Sequence, residues 1–296
     1  LPPLPHLPCL RGCRVTGGRP AAWLDGELVA PDAIGIGIDD HGFTIGDGVF
    51  ETLLVRSGRP TFWDRHTARL ARSIATTGIA AVDEQVVAGA VRAVIEASGL
   101  DDARLRITIS SGPGPGGLRR GPRPTVLVTA SPLVGGGAPA PVRVMTVPWA
   151  RNERGVLTGV KVTSYAEAAA LQSRVEARGV DDALLGDTRG RLSEALTANV
   201  FVMLDGRLLT PGTDCGCLGG IVREVLLEAA VAEEADIPMD RLGEVTEAFL
   251  TSSVAGVRPI TSVDGRPVPV VDGPMARAAA DAFRSAEAAD VAAGGR

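Results

Sequence analysis

Lysine is all but missing from this chain: of 30 basic side chains in 296 residues, only Lys161 is not an arginine. Tyrosine is as scarce, with Tyr165 its single instance. No apolar run approaches the roughly 18 residues of a membrane-spanning helix, so a membrane partner is not expected. Positive charge is not in excess either. The formal net charge is −5 and the pI about 5.4, which offers no basic surface to a phosphate backbone and argues against a nucleic-acid partner. Cysteine is limited to two pairs, Cys9/Cys13 and Cys215/Cys217. Neither has C-x2-C spacing with histidines nearby, so no metal site is expected, and free thiols in a reducing cytoplasm are the plainer reading. The first twenty residues, LPPLPHLPCLRGCRVTGGRP, lack the continuous apolar stretch of a signal peptide; we expect a mobile leader there.

What is present reads as two α+β units. WLDGELV (23–29) joins two short apolar runs through Asp-Gly, a hairpin signature, and FETLLVRSGRPTFW (50–63) repeats it around Ser57-Gly58. Asp64 is placed to cap a helix that stops at Gly78, and a second helix is expected over 83–99. RLRITIS (104–110) alternates with period two, and TVLVTAS (125–131) reads as a more buried strand. Residues 21–132 thus form a small α+β domain, and PLVGGGAPAP leads through a linker (133–141) into a larger domain, 142–296. There, strands at 142–147, 182–187, 199–204 and 247–252 alternate with helices near 165–178, 220–235 and 275–288. Two domains meeting at a cleft are a common setting for a small-molecule site.

Arginine stays protonated at any usable pH, whereas burial or a neighbouring cation can strip a lysine of its proton. Only the neutral amine attacks a carbonyl to form a Schiff base. A chain that replaces lysine with arginine everywhere else cannot replace one with that task. The plain alternative is a surface lysine left behind by drift. Tyr165 lies four residues on and faces the same way as Lys161 whether the segment is helical or extended.

Five stretches, in order, carry a resemblance: DDHGFTIGDGVFET (39–52), GVKVTSYAEAAAL (159–171), LSEALTANVFVML (192–204), CLGGIVREVLLEAA (217–230) and EAFLTSSVAGVRPI (247–260). Together they resemble the motif series of the class IV (fold type IV) pyridoxal-phosphate enzymes, which include branched-chain and D-amino-acid aminotransferases and 4-amino-4-deoxychorismate lyase. The resemblance implies a two-domain α+β fold, with a small N-terminal α/β sandwich and a larger C-terminal domain, part β-barrel-like and part helical. It implies pyridoxal 5'-phosphate as cofactor and a homodimer as the working unit. By the same resemblance, Lys161 is the catalytic lysine that holds the cofactor and later moves a proton. Tyr165 would meet a ring hydroxyl and Glu194 the pyridine nitrogen. Arg69, the backbone of Ile221 and Val222, and Ser252 and Ser253 would hold the phosphate. Relatives often have threonine where Val222 stands and glycine where Ala195 stands, next to the cofactor face.

The stretches VPWARNERGVLTGVKVTSYAE and DHGFTIGDGVFET resemble the lyase branch most. That implies a reaction taking 4-amino-4-deoxychorismate to 4-aminobenzoate and pyruvate. The D-amino-acid branch carries an arginine after the strand equivalent to RLRITIS, and Ser111 stands there here. Phe43 is an expected substrate-side residue. Arg119 and Arg120, on a Gly/Pro-rich loop, are candidates to meet the carboxylates of a dianionic substrate, against the simpler reading of a solvated loop. A class IV aminotransferase, a specialised paralogue acting on a related amine, and a non-catalytic cofactor-binding protein are the other readings of the same motifs.

Overall fold

The computed structural model describes residues 19–133 and 139–294. The expected leader falls outside the described residues except for Arg19 and Pro20, as do Cys9, Cys13 and residues 134–138 of the expected linker.

The first hairpin forms as its turn dictates. Asp25 and Gly26 both take positive φ (45° and 115°) and reverse the chain between β1 (Ala21–Leu24) and β2 (Glu27–Val29). After a single helical turn, α1 (His41–Thr44), β3 (Gly48–Arg56) and β4 (Arg59–Pro60) make the second hairpin. Helix α2 (Trp63–Thr77) ends at Gly78, whose φ of 71° closes the last turn. Its start departs from the expected cap. Phe62, left-handed at φ 50°, holds the N-cap position, and Asp64 sits inside the first turn, where its charge still favours the helix dipole. Asp83 caps α3 (Glu84–Ser98) by accepting from the Gln85 N–H at 2.8 Å. Strands β5 (Ala103–Ser110) and β6 (Thr125–Pro132) complete an antiparallel sheet of order β2-β1-β6-β5-β3-β4. Period-two alternation divides its faces. Leu53, Leu105, Ile107 and Ile109 are fully buried with the apolar faces of α2 and α3, while Phe50, Arg104, Arg106 and Thr108 take the alternate positions on the opposite face.

The second half curls. In chain order it contains β7 (Val142–Thr146), α4 (Ala166–Glu176), β8 (Asp182–Gly186), β9 (Leu192–Ala195), β10 (Asn199–Leu204), β11 (Arg207–Pro211) and α5 (Ile221–Glu228). Then follow β12 (Glu233–Ala235), β13 (Glu247–Ser252), β14 (Gly256–Val263), β15 (Arg266–Pro267) and α6 (Pro274–Ala293). The sheet order is β12-β11-β10-β13-β14-β7-β8-β9, with β15 on β14. Its two ends approach each other, since β9 also lies against β10 and β11, and the result is a half-barrel around Leu184, Leu192, Val202, Ile237 and Leu250. Helices α5 and α6 cover the outside over the stacked Phe201 and Phe249 rings, 5.0 Å apart. The helix expected over 220–235 stops at Glu228. Ala230 turns left-handed (φ 52°), and Glu233–Ala235 pairs in parallel with β11 instead. Those residues would continue a helix readily. The unpaired edge of β11 offers their backbone a better set of partners. Among the described residues no helix is long and apolar enough to cross a membrane.

Candidate active site

The two sheets are joined at the free edge of β3. There the Phe50 N–H donates to the Lys161 carbonyl at 2.9 Å, and the Thr163 N–H to the Gly48 carbonyl at 2.8 Å. Gly48 is required at this contact: a Cβ on it would lie 2.9 Å from Thr163 Oγ1 and from the Ile109 carbonyl oxygen. In this short extended stretch Val160 and Val162 turn into the first sheet's core. By alternation Lys161 turns the other way, and its Nζ lies 4.6 Å from the centre of the Phe50 ring. Tyr165, at the start of α4, meets the same ring edge-on at 5.2 Å. Burial, and next the Arg69 guanidinium, lower the Lys161 pKa from 10.5 to about 8. Burial also raises the Tyr165 phenol, with Glu194 adding to the effect.

Arg69 is fixed before any ligand arrives. Its Nε and Nη2 donate to the two oxygens of Glu51 at 2.8 and 2.7 Å, and its Nη1 to the Gly219 carbonyl at 2.8 Å. Glu51 has no exposed surface, and His66 Nδ1 lies 2.7 Å from its Oε2. Burial alone would raise this carboxyl, but the Arg69 and His66 hydrogen bonds outweigh it and hold the pKa at about 2. An ionised Glu51 accepts from His66, so the imidazole donates through Nδ1. Burial lowers the pKa of that imidazole against the opposing pull of Glu51. His66 therefore acts on Arg69 through Glu51. Arg65, on the same helix, pairs with Glu224 and Glu228 of α5.

Gly219 and Gly220 lead into α5, whose first N–H groups have no intrahelical partner. Asn199 Nδ2 donates to the Leu218 carbonyl at 2.7 Å, and its Oδ1 stands so close over Gly220 that a Cβ there would come within 2.0 Å. Thr251 Oγ1, near the end of β13, is buried and has no hydrogen-bond partner among the described residues. Glu194, on β9, lies 3.0 Å from Arg151 Nη2 and accepts from the Leu218 N–H at 2.9 Å. Burial raises its pKa, while Arg151 heads the groups that oppose the rise.

These groups converge on one cavity of about 390 Å³, which Lys161, Tyr165, Glu194, Arg69, Ile221, Val222, Ser252 and Ser253 all line. Ala195, expected beside a cofactor, is packed into the half-barrel core and does not reach the cavity. Its methyl group does not narrow the pocket. Phe43, Arg119 and Arg120 are also away from this cavity in the single chain. Phe43 is 77% exposed. Arg119 is exposed, and Arg120 donates to both oxygens of Asp47 at 2.6 and 2.7 Å and to the Thr77 carbonyl. Glu51, Phe50, Arg106, Arg151, Asn199 and Thr251 are the site groups that sequence reasoning misses. Phe50, Glu51, Asn199 and Thr251 lie within the five quoted stretches and Arg151 within the stretch resembling the lyase branch, but none of them was singled out there.

Residues 48–263 match the family model of the class IV aminotransferases. The chain belongs to that family. The bifunctional aminodeoxychorismate lyase / D-amino acid transaminase of Mycobacterium tuberculosis is 28% identical, over 83% of this chain and 92% of that protein. The 4-amino-4-deoxychorismate lyase of Pseudomonas aeruginosa superposes with a TM-score of 0.76 at 26% identity, covering 89% of this chain and 98% of that one. A hypothetical aminotransferase of Mycobacterium tuberculosis in a PLP-bound form gives 0.79 at 25%, covering 91% and 99%. Branched-chain and D-alanine aminotransferases are among the other matches. The architecture is that of the fold type IV pyridoxal-phosphate enzymes.

Proposed function

We propose that this protein is a pyridoxal-phosphate-dependent lyase that converts 4-amino-4-deoxychorismate to 4-aminobenzoate and pyruvate. The observation that carries the reading is an amine with a lowered pKa, Lys161, held on an aromatic wall between a carboxylate and an anchored guanidinium. The cofactor is pyridoxal 5'-phosphate, and the residues present fit it. The Thr251 hydroxyl, unpartnered among the described residues, and the Gly219-Gly220 turn, in which Gly220 packs closely against Asn199, would offer donors to a phosphate-sized anion beside Arg69 and the positive end of α5. Ile221, Val222, Ser252 and Ser253 complete that end of the cavity. Glu194 would meet the pyridine nitrogen and Tyr165 the ring hydroxyl.

When bound, the cofactor supplies a carbonyl for the substrate amine and a ring that accepts an electron pair. The chain's own residues do the rest. At neutral pH about a tenth of Lys161 amine groups are unprotonated, from a pKa of about 8, and this amine is available to take the proton from the amine-bearing carbon. The bond between the neighbouring ring carbon and the enolpyruvyl oxygen then breaks. The enol takes up a proton and leaves as pyruvate, and the ring becomes aromatic. No amino acceptor enters the balance. Arg106, whose guanidinium carbon is 3.8 Å from the Phe50 ring centre, has no carboxylate partner among the described residues and can meet a substrate carboxylate.

Ser111, in place of an arginine, weighs against a D-amino-acid transaminase. The number of aminotransferases among the relatives keeps a second reading open, a class IV aminotransferase acting on branched-chain or D-amino acids. The partner needed for either is a second copy of this chain. Ile38, Phe43 and Leu118 are strongly exposed, as an interface between copies requires. The cofactor-loaded protein should release pyruvate from aminodeoxychorismate. Accumulation of the amine form of the cofactor with alanine, glutamate or a branched-chain donor, and no pyruvate, would establish the aminotransferase instead.

A further inference from the structure

Outward from Lys161, the non-core face of the first sheet shows a row of groups: the Phe50 ring, then Arg106, then Arg104. Arg106 lies over Phe50, and its Nε is used by Thr108 Oγ1 at 3.1 Å. Its two terminal nitrogens make no ion pair among the described residues, and neither does Arg104. The two arginines alternate with the core residues Leu105 and Ala103 on β5, so they share a face with their Cα atoms about 6.7 Å apart. Their cross-strand neighbours supply no negative charge. Arg106 is opposite Thr52 and Thr129, and Arg104 opposite Leu54 and Ser131. Two unneutralised cations side by side repel each other, and an anion bridging them removes that repulsion. The loop arginines cannot take this task in the same way, because Asp47 already neutralises Arg120.

We propose that Arg104 and Arg106 form a two-point clamp that selects dicarboxylates, with Arg106 taking the carboxylate nearer Lys161 and Arg104 the distal one. The inference rests on the reading of the adjoining cavity as the substrate site, and it gives the second carboxylate of the substrate a specificity-determining residue, Arg104. The deeper arginine stacks on an aromatic ring and keeps a fixed fork, whereas the outer one is exposed and screened. Arg104 therefore acts on selectivity more than on rate.

The test uses the cofactor-loaded full chain and equilibrium binding of glutarate and butyrate, unreactive acids with two carboxylates and one. Wild type should bind glutarate about tenfold or more tightly than butyrate, the range of one charge-assisted contact. Arg104→Gln should collapse that preference, and Arg104→Lys should restore part of it. Arg106→Gln should weaken both ligands. Equal affinity of wild type for the two acids, or an undiminished preference in Arg104→Gln, overturns the clamp. Arg104 is on the exposed face of a strand, so its replacement leaves the core intact. Pyruvate release on aminodeoxychorismate is scored separately, so a failed lyase reading leaves the clamp tested by the binding data alone.

Discussion

Arg151 Nη2 stands 3.0 Å from Glu194 Oε1, and Arg151 is the strongest influence opposing the rise that burial imposes on the pKa of this acid beside the cavity. Without Arg151 the effect of burial is less opposed and the Glu194 pKa rises further. Activity that needs the carboxylate would then be lost at a higher pH as the medium is acidified. Arg151→Met should lower kcat about 10- to 100-fold near neutrality and move the acid limb of the kcat profile upward, with KM changed much less. A pH–rate series on wild type and variant checks this.

Lys161 sets a second pH dependence. Its pKa of about 8 is below the usual 10.5, so the neutral amine fraction climbs through pH 8. Stopped-flow incorporation of cofactor into the apo protein should therefore accelerate about tenfold between pH 7 and 9 and then level off. The folded state also binds fewer protons here than the unfolded chain between pH 8 and 10.5, so this group adds stability as pH rises through that window.

Glu51 works in the opposite sense. Its folded pKa of about 2 is below the usual 4.5, so its contribution is complete above pH 4.5 and is lost as pH falls towards 2. The shift corresponds to a contribution on the order of 3 kcal/mol. Glu51→Gln leaves Arg69 buried without a counter-charge and should destabilise the fold by about 3–5 kcal/mol at pH 7. Urea denaturation at pH 7, 5 and 3 should show the gap between wild type and variant narrowing below pH 4.5.

Gly220 tests the cradle. An alanine Cβ would lie 2.0 Å from Asn199 Oδ1, so the turn into α5 must shift. Gly220→Ala should weaken cofactor binding by at least about tenfold, the loss of one well-made charge-assisted contact, while the thermal midpoint of the apo protein moves by only a few degrees. Equilibrium dialysis and calorimetry together separate the two effects.

Local rules made the first sheet readable. Asp-Gly and Ser-Gly turns, the Asp83 cap and the terminal glycines each act over a few residues, and β5 alternates as its sequence does. Asp64 and the end of α5 were misplaced because tertiary contacts decide there. The Phe62 N–H is taken by Asp290, 228 positions away, and β12 docks on β11. Strands β9 and β12, four and three residues long, are too short for a periodic signal. In the site, Lys161 and Tyr165 stood out by rarity, and Glu194 and Arg69 by resemblance. Glu51 and Arg151 lay within the quoted stretches without being singled out, because their importance comes from the charges that the fold brings against them. Nothing in the sequence marks Asp47, 73 positions from Arg120, as the carboxylate that pairs with it.

The most direct measurement is borohydride reduction of the protein loaded with pyridoxal phosphate, followed by peptide mass analysis. Expected is one cofactor per chain, attached at Lys161, with the visible absorbance band absent from Lys161→Ala. A cofactor that binds yet remains fully exchangeable after reduction, or one attached at the chain's amino terminus, would contradict the central role of this amine.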